Sequence, residues 1–143
     1  MKRFILLATT LFLTLAVSAE PARKTTKADT DYSQIHGVCY LGWGVDDATV
    51  REQLGWAKKI GINSTRIWLW GYEMDPQGFT KRLRHYVDLA DEMGVSVMPI
   101  LFNGNGLNPA TLKEENWERN AAYVRATVNA LKDAPGLLCW DIM

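Results

Sequence analysis

The sequence predicts an α/β fold, the first half of a (β/α)₈ barrel. Three observations predict it. From residue 36 onward, apolar extended runs alternate strictly with helical runs, and the connections are mostly short. The extended runs are nearly continuous in apolar residues and the helical runs are one-sided, which is the pattern of a parallel sheet covered by helices. The turn after the first run, Leu41-Gly42-Trp43-Gly44-Val45, lacks the Gly-x-Gly-x-x-Gly spacing that announces a dinucleotide-binding open sheet.

The chain opens with Met1-Lys2-Arg3, an apolar run over residues 4–17, and small residues at Val17-Ser18-Ala19. This is the form of a secretory signal cleaved after Ala19. A membrane anchor needs roughly 20 apolar residues, more than this run supplies. Residues 20–33 are polar and aperiodic, so a flexible leader is expected there. The folded domain is expected over residues 34–143.

In that domain the first strand is expected over residues 36–43, apolar and buried. Asp46-Asp47-Ala48-Thr49 offers cap side chains. Val50, Leu54, Ala57 and Ile60 follow at helical spacing, and Gly61 stands where a left-handed residue ends a helix. Residues 63–70 form the second strand, rich in β-branched and aromatic types. Asp75-Pro76 opens a second helix. Its apolar face is Phe79, Leu83, Tyr86, Val87, Ala90 and Met93, and Gly94 ends it. Residues 95–102 form the third strand. A longer connection over 107–115 has room for one helical turn. Trp117, Ala121, Val124, Val128 and Leu131 then mark a third helix, closed by Ala134-Pro135-Gly136. A fourth strand begins at Leu137. Eight such units make a barrel of roughly 250 residues or more.

The chain has 16 basic and 16 acidic residues. Lys2 and Arg3 leave with the signal, so the mature charge is −2. No basic field is available for nucleic acid or anionic lipid. No later segment is long and apolar enough to span a membrane, so the mature chain is expected to be secreted or periplasmic, without a membrane or nucleic-acid partner.

Function in such barrels sits at the carboxyl ends of the strands. In the second strand, Thr65, Ile67 and Leu69 share one parity and should pack on helices. Arg66, Trp68 and Trp70 share the other and should point inward. An arginine inside a barrel is costly without a carboxylate. Asp141 can supply one, or a catalytic carboxylate from a later strand can. Trp43, Trp70 and Trp140 lie near strand ends, where an indole stacks on a sugar ring and its N–H meets a hydroxyl. Trp56 and Trp117 lie on helices and are expected in the core, as is Trp68. Asn103, with Gly104-Asn105-Gly106, ends the third strand and could bind sugar hydroxyls. Asp46, Asp47 and Asp75 are explained as caps, and Glu73 as a solvated loop carboxylate. His36 and His85 cluster with no other ligand types, so neither a metal site nor a cofactor is expected. Nothing suggests acyl transfer. Cys39 and Cys139 fall in non-adjacent strands, so two separate buried thiols are expected.

These residues resemble a known family. Gly61-Ile62-Asn63-Ser64-Thr65-Arg66-Ile67-Trp68 is similar to the second strand of the clan A glycoside hydrolases, the TIM-barrel group of cellulases and mannanases. Asp75-Pro76-Gln77-Gly78-Phe79 and residues 89–102 are similar to its second helix and third strand. Residues 133–143 are similar to the run that leads into the family's Asn-Glu-Pro. The resemblance implies a retaining glycosidase acting on a β-linked polysaccharide of cellulose, mannan or xylan type. It implies a glutamate acid/base after the fourth strand and a glutamate nucleophile at the seventh. Both would lie beyond Met143, so no catalytic residue is expected in this chain, and Arg66 would support the nucleophile.

The expected function is therefore the N-terminal part of a secreted glycoside hydrolase, inactive by itself. The open strand edges would make it marginal and aggregation-prone in isolation. A non-catalytic carbohydrate-binding protein with a tryptophan-lined groove is the alternative. A sugar isomerase would need a metal cluster that the sequence does not offer.

Overall fold

A computed structural model describes residues 33–102 and 113–142. The signal over residues 1–19, all but the last residue of the leader over 20–33, and Asn103 with its loop lie outside the described residues.

Among the described residues three strands and three helices alternate: β1 Gly37–Tyr40, α1 Asp47–Lys59, β2 Ser64–Trp68, α2 Pro76–Glu92, β3 Ser96–Ile100 and α3 Trp117–Leu131. The local chemistry explains the helix ends. Asp46 caps α1 by accepting from the Thr49 N–H at 3.0 Å. Lys58 and Lys59 occupy its last turn, where the helix dipole favours cations. Asp75 caps α2 by accepting from the Gly78 N–H at 2.9 Å, with Pro76 in its first turn. Gly61 and Gly94 follow α1 and α2 with φ of 87° and 69°, a backbone that disfavours any side chain. A 3₁₀ turn over Glu114–Asn116 leads into α3.

The sheet is parallel and runs β1-β2-β3 in sequence order. Residues 137–141 continue it beside β3 through two single parallel bridges, Val97 to Leu137 and Ile100 to Asp141. Each helix crossover returns to the same side. One apolar core joins Val50 and Leu54 of α1, Phe79, Leu83, Val87 and Ala90 of α2, and Leu131 of α3 to Ile67, Val97 and Leu137. In this core the Thr65 and Tyr86 hydroxyls are hydrogen-bonded at 3.0 Å, and Tyr40 stacks on Tyr86. Burial pushes the Tyr86 hydroxyl well above its ordinary pKa.

The structure corrects several expectations. β1 is shorter than residues 36–43, because Gly42–Gly44 turns into a 3₁₀ segment. It is largely exposed rather than buried, since only β2 flanks it among the described residues. Ile60 is exposed because it caps α1 instead of lying on its buried face. Trp56 and Trp117 are 56% and 62% exposed, not core residues. Trp56 stands two positions past Leu54, about 200° around the helix from the buried stripe. Trp117 is the first residue of α3, beyond the segment that meets the core. Cys39 and Cys139 form no disulfide, as expected, but are exposed and half-buried respectively.

Candidate functional site

β2 alternates as its sequence predicts. Thr65 and Ile67 are buried toward the helices, as is Leu69 just past the strand, while Arg66 and Trp68 lie on the opposite face. Register then determines their neighbours. Cys39, Arg66 and Met98 are aligned across β1, β2 and β3, and Trp68 is aligned with Ile100 one step further along.

Asp141 joins this face. Arg66 Nε and Nη2 both lie 2.6 Å from Asp141 Oδ2, with the two side chains 25% and 18% exposed. Arg66 Nη1 is 3.9 Å from Cys39 Sγ, and its guanidinium carbon is 5.4 Å from the Trp68 ring centroid. These contacts hold the guanidinium on three sides. The hydrogen bond to Asp141, and after it the contact with Cys39, raises the Arg66 pKa above its ordinary value. Arg66 is therefore a fixed cation with a planar set of donors.

The way Asp141 reaches this face is specific. Val97 pairs with Leu137, but Ile100 pairs with Asp141. Three steps along β3 are matched by four along the opposing segment. A one-residue bulge therefore lies at residues 138–140.

Beyond the carboxyl ends of the strands stands an aromatic cluster. Trp43 is 3% exposed and donates its indole N–H to the Trp68 carbonyl at 2.7 Å. It packs against Trp70 at 4.9 Å between ring centroids and edge-on to Phe79 at 5.9 Å. Tyr72, Tyr123 and Phe102 extend the cluster through further edge contacts. Trp70 is 44% exposed and forms its outer face.

The sequence-predicted site residues are thus divided. Arg66, in the middle of β2, is partly exposed, and Trp70, two residues past the end of that strand, is exposed. Trp43 lies beneath Trp70 as its support, because the 3₁₀ turn folds its ring inward. Trp140 is half-buried and packs on the helix-side core. Asn103 is outside the described residues. Asp46 and Asp75 are held below the usual carboxylate range, chiefly by the backbone N–H groups that they cap. Glu73 lies 3.5 Å from Arg119. Among the described residues no group of three or more His, Cys, Asp or Glu side chains could hold a metal ion. Sequence reasoning missed Cys39 and Met98 as neighbours of Arg66, and Tyr72, Tyr123 and Phe102 as members of the aromatic cluster. Parity would have found the first two once the strand register was known.

No family model matches this chain, and no curated protein matches it.

Proposed function

We propose that this chain supplies the first three β/α units and the fourth strand of a (β/α)₈ barrel in a secreted or periplasmic enzyme that hydrolyses O-glycosidic bonds of a β-linked polysaccharide. The observation that carries the reading is Arg66, held by Asp141 on the sheet face opposite the helices, with the exposed indole of Trp70 near the carboxyl end of the same strand. Sheet order in sequence order, with every helix on one side, supports the barrel. An open doubly wound sheet carries helices on both faces.

In this reading Trp70 stacks on a sugar ring and Trp43 braces it. Arg66 is a positioning residue that orients a catalytic carboxylate. By the family resemblance, the acid/base and nucleophile glutamates follow Met143, and a retaining pair stands about 5–5.5 Å apart.

The test begins with the codons that follow Met143. The encoded protein is then incubated with soluble β-1,4-glucan, mannan and xylan, and new reducing ends are measured. Asn-Glu-Pro in frame, together with reducing-end release, supports the proposal. A stop codon and a protein that neither cleaves nor binds these glycans overturns it. Binding without cleavage favours a carbohydrate-binding protein instead.

A further inference from the structure

The bulge that carries Asp141 to Arg66 lies opposite a proline. The ladder between β3 and residues 136–141 begins regularly. Val97 N–H donates to the Gly136 carbonyl and Leu138 N–H donates to the Val97 carbonyl, each at 2.8 Å. The next donor on this edge of β3 would be residue 99, which is Pro99 and has no N–H. Past it the bonds resume one residue out of step. Asp141 N–H donates to the Pro99 carbonyl at 3.0 Å, and Leu101 N–H donates to the Asp141 carbonyl at 2.9 Å.

Side-chain direction follows from this step. Leu137 faces the helix-side core with Val97. Strict alternation from Leu137 would return Asp141 to that apolar side and turn Trp140 toward Arg66. The observed arrangement is the reverse. Trp140 packs on the core, and Asp141 meets Arg66.

We infer that Pro99 is a positioning residue: by withholding one ladder hydrogen bond it permits the bulge at residues 138–140, and the bulge puts the Asp141 carboxylate beside Arg66. A residue with an N–H at position 99 would favour continuous pairing and oppose the bulge. The charge of Asp141 acts in the same direction as the proline, because an unpaired carboxylate is costly against the apolar core. The register claim stands without the carbohydrate reading. That reading supplies only what Arg66 does with a saccharide.

The experiment uses the full chain and two readouts. One is the Arg66 Nε–H resonance, assigned by its loss in Arg66→Lys. The other is acrylamide quenching of Trp140, obtained by difference from Trp140→Phe. In Pro99→Ala, the Arg66 signal should exchange with water at least tenfold faster and Trp140 should become more quenchable. Deleting Cys139 in the Pro99→Ala background removes the extra residue, so a continuous ladder again puts Asp141 beside Arg66. Both readouts should then return to their original values. If Pro99→Ala fails to fold, recovery of the fold and the Arg66 signal by the Cys139 deletion supports the inference. Unchanged readouts in Pro99→Ala overturn it, as does failure of the deletion to restore them. Glycan retardation on native gels is recorded separately. Its absence in the original chain counts against the carbohydrate reading alone.

Discussion

The indole N–H of Trp43 donates to the main-chain carbonyl of Trp68 at 2.7 Å, across 25 residues of sequence. This bond ties the turn after β1 to the end of β2 and seats Trp43 under Trp70. Trp43→Phe removes the donor and shrinks the ring. It leaves a part-buried carbonyl without that partner, so a stability loss of about 2 kcal/mol is expected in urea denaturation. Trp70→Ala should cost less than about 1.5 kcal/mol, since the ring is half exposed and the main loss is one aromatic pair. Affinity electrophoresis on β-glycan gels should separate the two roles. Retardation should fall at least tenfold for Trp70→Ala and less for Trp43→Phe.

Asp141→Asn keeps the shape of the side chain and removes its charge. The pair is neither fully exposed nor fully buried. Its loss should therefore lie between the small value of a surface pair and the 3–5 kcal/mol of a buried one, at about 1–2 kcal/mol. Raising the salt concentration should weaken the original chain more than the variant. Denaturation at low and high ionic strength measures both effects.

The tyrosines predict an alkaline limit. Burial raises the pKa of Tyr40, Tyr86 and Tyr123 above the ordinary value of 10.0. In the unfolded chain these phenols ionise near that value, while in the fold they keep their protons to higher pH. Their contribution to stability is full below pH 10.0 and is lost as pH rises past it. Thermal melts between pH 8 and pH 11 should show the midpoint falling above about pH 10. Tyr86→Phe should flatten that fall, and at neutral pH it should cost about 1 kcal/mol for the bond to Thr65.

Gly94 has a φ of 69° at the end of α2, immediately before β3. Gly94→Ala forces a side chain into a left-handed backbone and should cost about 1–2 kcal/mol. Replacing Gly55, in the middle of α1 with open space around it, should have the opposite sign. Gly55→Ala should stabilise by about 0.5–1 kcal/mol, through helix propensity. Urea midpoints of the two variants should move in opposite directions.

Much of the local structure was legible in the sequence because it depends on neighbours. Asp46 and Asp75 reach N–H groups three residues on, and Gly61 and Gly94 meet the backbone demand of a helix end. The facing of Arg66 and Trp68 follows from alternation within one strand. Asp141 was legible as one of two candidate partners for Arg66, because a charge on the apolar sheet of an α/β unit needs an opposite charge, but alternation alone would have turned it to the other face. Residue type was a poorer guide to burial. Trp56 and Trp117 are large and apolar, yet the angular position of Trp56 on α1 and the place of Trp117 at the first residue of α3 leave them exposed.

By itself the sequence determined the order of elements, the helix ends and which residues of β2 share a face, all set by bonds that span a few residues. Only the tertiary structure decided that Trp43 lies beneath Trp70, that Cys39 and Met98 flank Arg66, and that Trp140 turns to the core while Asp141 turns away. Those outcomes depend on hydrogen-bond register between distant segments. A single-residue step in that register, opposite Pro99, exchanges the two sides of the sheet.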